Sequence, residues 1–276
     1  MECPLYSPLL ISRPCWSAIL NRREAMRRKT AFTLVELLVV VGIVGVLIAL
    51  LLPSINKARR HAAQVTCLSN LRQLGIALIA YANESKGCFP AAASALREQD
   101  EDWVHWQPTR DVKNSALWSH LGGNVDVLKC PLGVPERPAG TAPPYPFSYS
   151  VNTKFTGLVT TASSRSWNRP PCRLGDVRQP SRKMLAVEED SSTISDGAWY
   201  ADVSKWWFGD NMVYISVRHD RDGREYSRRV EDFGADRGRG NVVFADGHGE
   251  FTDRRRAMTA LNYEPRYDGP PNWPWY

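Results

Sequence analysis

The stretch from Lys29 to Pro53, K-T-A-F-T-L-V-E-L-L-V-V-V-G-I-V-G-V-L-I-A-L-L-L-P, constrains this chain more than any other. The 16 residues from Leu37 to Leu52 carry no charge and no strong hydrogen-bonding side chain. Adding 32–36 gives 21 residues with Glu36 as the only charge. A helix rising about 1.5 Å per residue needs roughly 20 such residues to cross a bilayer core. The segment is therefore long enough to span, and it carries one expensive carboxylate near its start. An ionised acid in a membrane segment costs several kcal/mol on insertion scales, so a functional reason for it is expected.

Glu36 is the fifth residue counted from Phe32 and closely follows the basic cluster Arg27-Arg28-Lys29. The string Ala31-Phe32-Thr33-Leu34-Val35-Glu36 resembles the class III signal of type IV pilins and type II secretion pseudopilins. The resemblance implies that a prepilin peptidase cuts between Ala31 and Phe32 and methylates the new amino terminus. It also implies that Glu36 neutralises the terminal amine of a neighbouring subunit in a helical assembly. A buried acid facing a buried ammonium offsets the desolvation of both. Pro53 falls at the position where many pilins carry a helix-bending proline. The family usually has Gly before the cut; Ala31 is also small, so cleavage is expected to survive. A secretory signal peptide is disfavoured, because no A-x-A-like site follows the apolar run and an amphipathic helix begins at once.

Residues 1–31 are expected to be a leader or extension, removed or mis-started, because Met26 opens a normal short leader, M-R-R-K-T-A-F. Arg22, Arg23, Arg27, Arg28 and Lys29 on the leader side outnumber Lys57, Arg59 and Arg60 beyond the span. That excess favours a cytoplasmic amino end. The expected location is the inner membrane, single-pass with a periplasmic carboxyl domain, or a surface filament after assembly.

After Pro53 the apolar residues Ile55, Ala58, Ala62, Val65, Leu68, Leu71, Leu74, Leu78 and Tyr81 recur in steps of mostly three and four. This is an amphipathic helix, with Lys57, Arg60, Gln64, Asn70 and Gln73 opposite. It is expected to end between Asn83 and Gly87. Residues 32–84 thus read as one long helix with a membrane segment at 32–52, and 85–276 as a β-rich outer domain with its own core. Short β-branched or aromatic runs, Lys183–Glu188, Met212–Val217 and Asn241–Ala245, predict strands. The fold class is α+β and pilin-like: a long amino-terminal helix packed on an antiparallel sheet with long, proline-rich connections.

The string Gly240-Asn241-Val242-Val243-Phe244-Ala245-Asp246-Gly247-His248 resembles the carboxyl motif of a prepilin-like family found mainly in Planctomycetes, Verrucomicrobia and Lentisphaerae. Its members carry His, nine residues, then Asp-Gly. Similar stretches include C-L-S-N-L-R-Q-L-G-I-A-L from Cys67 to Leu78, Tyr81-Ala82-Asn83, Phe89-Pro90, Leu128-Lys129-Cys130-Pro131 and Ser148–Asn152. Where that family has its His, this chain has Asp236, and Arg218-His219 resembles the displaced dipeptide.

Asp-Gly after a strand is first a turn signal, with Gly supplying positive φ. The alternative is a divalent metal site, calcium included, using Asp246, His248 and His219 or Asp236, since mixed Asp and His ligands suit such ions. Asp220-Arg221-Asp222-Gly223 lacks the further positions of a calcium loop and reads as a solvated turn. Of the six cysteines, Cys3 and Cys15 lie in the discarded leader, and Cys88 with Cys130 is the disulfide chosen for an oxidising compartment. The ten tryptophans either fill cores or line a glycan-binding face. The net charge of +6 arises from interleaved acids and bases, and the arginine-rich stretches read as solvated loops rather than a nucleic-acid surface. No phosphate loop, nucleophile elbow or catalytic carboxylate pair is present, so no enzyme activity is expected and no cofactor is required. The expected partners are a prepilin peptidase/methyltransferase, other pilin-like subunits and an inner-membrane assembly platform. A membrane-anchored adhesin or carbohydrate-binding protein is the alternative.

Overall fold

A computed structural model describes residues 33–95, 97–133, 144–157, 170–191, 193–200, 215–220, 238–254, 256 and 260–268. Several expectations fall outside these residues: the Ala31–Phe32 cut, the strand portion 212–214, Trp167, Trp206, Trp207, Asp236, the inserted stretch 221–237 and the aromatic tail. The chain divides into two compact units, Met1–Leu51 and Leu52–Tyr276.

Helix α1 runs Leu34–Glu84, 51 residues, with Pro53 inside it. In the first unit every described residue is exposed, including Leu37, Leu38, Val41, Ile43 and Leu50. An apolar run of this length with no protein to cover it is what a bilayer or a bundle of like helices accepts.

In the second unit α1 buries Ala63, Cys67, Leu71, Leu74, Gly75, Ala77, Leu78 and Ala82. Leu71, Leu74 and Leu78 match the periodicity of the sequence. Toward the amino end the stripe follows a different track, because Val65 is 59% exposed and Ile55 43% exposed. Stepping back from Leu71 by fours leads to Cys67 and Ala63, whereas the sequence pattern stepped by threes toward Val65. Small residues on the true track let the helix approach the sheet closely. A Cβ on Gly75 would stand 2.6 Å from Cγ2 of Val243. The helix ends where Lys86 and Gly87 take positive φ, 56° and 86°, and the Gly87 N–H closes on the Ala82 carbonyl at 2.8 Å.

Five strands form one sheet: β1 (Tyr149–Asn152), β2 (Met184–Glu188), β3 (Ala198–Trp199), β4 (Arg239–Phe244) and β5 (Gly249–Asp253), in the order β3-β1-β2-β4-β5. The pairs β1–β2, β2–β4 and β4–β5 are antiparallel, as the sequence suggests. The added pair β1–β3 is parallel, with Val151 opposite Ala198, so the sheet is mixed. Helix α2 (Thr153–Thr156) follows β1 and helix α3 (Ala260–Tyr263) comes near the end of the described chain.

Along β4 the side chains alternate. Val243 and, just beyond the strand, Ala245 join the core that contains Leu71, Leu74 and Leu78 of α1, while Val242 and Phe244 join a second cluster with Met184, Val187, Trp199, Ile215 and Tyr263. Both faces of the central strands are therefore covered, which explains their near-continuous apolar runs. Trp103 and Trp199 are fully buried. Each buried Leu, Phe or Val contributes about 1.5–3 kcal/mol by leaving water.

Candidate functional site

The start of α1 is closed by a reciprocal capping pair. The Glu36 N–H donates to Thr33 Oγ1 at 3.2 Å, and Glu36 Oε2 accepts from the Thr33 N–H at 2.9 Å and the Thr33 hydroxyl at 2.8 Å. Thr-x-x-Glu at a helix start is a capping box, which satisfies otherwise orphaned donors. That signature, Thr33-Leu34-Val35-Glu36, is legible in the sequence beside the acid. The carboxylate thus sits at the amino terminus of the apolar helix, where the helix dipole favours negative charge.

Asp246, Gly247 and His248 form the turn of the β4–β5 hairpin, with Gly247 at φ 89°. The Gly247 N–H donates to the Phe244 carbonyl at 2.9 Å. Asp246 Oδ1 stands 2.5 Å from His248 Nδ1, and the His248 ring stacks on Phe244 with centroids 4.3 Å apart. This is the expected turn, closed by its own side chains. His219 does not join it, so the trio Asp246, His248 and His219 is not assembled. His219 lies within the tight turn that the Asp220 N–H closes on the Val217 carbonyl, beyond β2's neighbour Ile215, and its side chain is buried instead.

There it meets residues that are remote in sequence. Cys67 on α1, Cys130 after the short 3-10 turn Val125–Leu128, Glu188 at the end of β2, and His219 bring one donor atom each within 4.8 Å of one another, all buried. Cys67 Sγ lies 2.8 Å from Cys130 Sγ, Cys130 Sγ 3.3 Å from His219 Nε2, and His219 Nε2 3.1 Å from Glu188 Oε1. Arg218 Nε lies 3.3 Å from Glu188 Oε1, and Asn241 Nδ2 of β4 donates to Glu188 Oε2 at 2.9 Å. The Cys130 N–H is held by Ser148 Oγ at 3.0 Å. The structure does not join Cys88 to Cys130 as the sequence suggests: Cys130 faces Cys67, while the backbone of Cys88 bridges to Arg173. The reason is the helix phase, which turns Cys67 inward at zero exposure.

The electrostatics follow from this packing. Burial pushes the Glu188 carboxyl up, but the hydrogen bond from His219 and the charges of His219 and Arg218 outweigh it and leave it below the usual range. Burial pulls His219 down, and its bonds to Cys130 and Glu188 reverse that and raise it to about 9. The Cys130 thiol is lowered to about 6, first by its hydrogen bond with Cys67 and then, against burial, by His219. Cys67 is pushed far up by the same bond and by burial. In the reduced form these directions favour a Cys130 thiolate facing a His219 imidazolium, itself paired with Glu188.

Two thiols, an imidazole and a carboxylate match the donor types of zinc. The spacing does not: sulfurs each about 2.3 Å from a tetrahedral zinc stand roughly 3.8 Å apart, and here they are 2.8 Å apart. The fully buried Trp103 and Trp199 pack in the core, which removes them from a glycan-binding face.

Residues 26–52 match the family model described as the prokaryotic N-terminal methylation motif. No curated protein and no solved structure matches the chain. The motif supports a type IV pilin-like protein, membrane-anchored or surface-assembled, that is processed by a prepilin peptidase and assembles with other pilin subunits. It suggests a structural subunit.

Proposed function

We propose that this chain is a pseudopilin or minor-pilin-like subunit of a type II secretion or type IV pilus-like assembly. Prepilin peptidase cuts it between Ala31 and Phe32 and methylates Phe32. Before assembly it sits in the inner membrane with residues 85–276 outside, and an inner-membrane platform then feeds it into a helical stack. The observation that carries this reading is Glu36, a carboxylate capping an exposed apolar helix inside the matched methylation motif.

Among the described residues of one subunit, both of the bonds that Glu36 accepts fall on Oε2. Oε1 is left for the terminal ammonium of a neighbour. In a medium of low dielectric, that pairing removes two separate desolvation penalties at once, while apolar contact between helices supplies the remainder. Pro53 removes one backbone donor from α1, which gives the stem a place to bend as subunits pack.

The test is Glu36→Ala in the native host. The variant is expected to be cleaved at the same bond, as read by terminal sequencing, yet to be absent from sheared filaments or from cross-linked ladders of subunits. Wild-type incorporation of the variant, or a mature terminus other than Phe32, would refute the proposal.

A further inference from the structure

We propose that Cys67 and Cys130 are joined by a disulfide in the mature protein, tying the carboxyl half of α1 to the loop that enters β1. The claim rests on the outward-facing placement of residues 85–276 proposed above, because a disulfide persists only in an oxidising compartment.

Geometry carries it. The two sulfurs stand 2.8 Å apart and both side chains are buried, with no other group between them. A thiol donating to a thiol is a weak hydrogen bond and does not account for so close an approach. A disulfide needs about 2.05 Å, so the pair closes with a sub-ångström movement. A zinc ion would have to push the same atoms apart by about 1 Å, against the Ser148 bond that holds the Cys130 backbone. His219 stands 3.3 Å from Cys130 Sγ on the side of Glu188, where it stabilises the thiolate that begins exchange. After oxidation the His219–Glu188–Asn241 chain stays intact, so closing the bond leaves no buried charge without a partner.

The oxidant is a disulfide carried by a dithiol oxidase of that compartment. The Cys130 thiolate attacks one donor sulfur and forms a mixed disulfide, and the other donor sulfur leaves as a thiolate that takes up a proton. Cys67 then gives up its proton and attacks the Cys130 sulfur, expelling the second donor thiolate, which is protonated in turn. The two cysteines lose two electrons and two protons, and the donor gains them as two thiols. Because Cys67 is fully buried in the folded chain, the exchange precedes closure of α1 onto the sheet. The bond then closes a loop 63 residues apart in sequence. It fastens the stem helix to the sheet domain, a fitting device for a subunit pulled through its helix.

The test uses the full-length protein in its native envelope. Cells are quenched in acid, free thiols are alkylated under denaturing conditions, and the protein is digested without reductant for mass spectrometry. The expected result is a Cys67–Cys130 linked peptide, lost in Cys130→Ser, with Cys67 then alkylated. Alkylation of both cysteines in the wild type, a link from either one to Cys88 or Cys172, or one zinc per chain accompanying free thiols would overturn the proposal. A second arm unfolds and reduces the purified full-length protein in urea and refolds it in detergent with oxidised glutathione. A link formed there but missing from cells means that the placement is wrong and the disulfide claim falls with it. No link in either setting means that the two sulfurs do not meet in the folded protein, and the proposal fails.

Discussion

Gly75 offers the sharpest test of how α1 meets the sheet. A methyl group there would lie 2.6 Å from Val243 Cγ2 and 3.4 Å from Cγ1. Val243 is fully buried and β-branched, so its χ1 has little freedom to give way. Gly75→Ala gains about 1 kcal/mol of helix propensity and loses about 1–3 kcal/mol to overpacking. The expected net effect is a destabilisation on the order of 1 kcal/mol, or a Tm lower by roughly 2–4 °C. Val243→Ala removes two buried methyl groups and is expected to cost roughly 1–3 kcal/mol by itself. In the double variant the new Cβ fills the space those methyls vacate. Its cost should fall below the sum of the singles by at least about 1 kcal/mol, outside the roughly 0.5 kcal/mol within which independent sites add. Urea unfolding of the full-length protein in mild detergent, followed by the fluorescence of the buried Trp103 and Trp199, measures all four corners of the cycle. If Gly75→Ala stabilises by the full propensity gain and the two changes add, the helix does not approach β4 at this point.

A Cβ on Gly247 would meet only ordinary contact, with Ile79 Cδ1 at 3.8 Å, but φ is 89°, so Gly247→Ala is expected to cost about 1–2 kcal/mol through backbone strain, read by the same unfolding assay. Glu188→Ala leaves the buried His219 without its carboxylate and takes one partner from the half-buried Arg218, and is expected to cost about 3–5 kcal/mol, with Glu188→Gln milder because the Asn241 contact survives. In the reduced protein His219, raised to about 9, adds stability that is full below its unfolded value of 6.5 and lost as pH rises through 9. Cys130, lowered to about 6, adds stability that is full above its unfolded value of 9 and lost as pH falls through 6. The two trends oppose each other, so wild-type urea midpoints should vary little between pH 6.5 and 9. His219→Gln should instead become more stable as pH rises over that window, and a flat or falling profile would refute the thiolate–imidazolium pairing. Excess chelator is expected to leave the Tm of the protein unchanged, and a drop would restore the metal reading of the cluster.

Much of the fold was legible because it rests on local signals. The apolar run from Leu37 to Leu52, the helical steps through Leu71, Leu74 and Leu78, and the break at Gly87 each depend on a few neighbouring residues. The Asp246-Gly247 turn was legible for the same reason, since a residue free to take positive φ after a β-branched run has few other uses. The phase of α1 before Leu71 was not. Ile55, Val65 and Ile76 place apolar side chains on the exposed face, so composition alone did not distinguish the face that packs from the face that does not. The parallel β1–β3 pair was also hidden, because a two-residue strand at Ala198 carries almost no pattern.

The cluster was illegible for a deeper reason. Cys67 and Cys130 are 63 positions apart, Cys130 and His219 are 89 apart, and no spacing rule links a helix, a loop, a strand end and a turn. Each member has an ordinary explanation when read alone: a small core thiol, a loop cysteine, the last residue of a strand, a displaced family histidine. Glu188 even reads as part of a strand, where a charged residue would normally face water. Only the fold makes it costly, by burying it completely beneath Asn241. Once it is buried, a cation must face it, and Arg218 and His219 supply one. His219 then favours a thiolate at Cys130, and the helix phase that Val65 had disguised sets Cys67 against that sulfur. The chemistry of the site is thus a consequence of the packing of α1 rather than a motif laid on top of it. A change that rotates the stem helix, such as crowding Gly75, should therefore disturb the sulfur pair as well as the core.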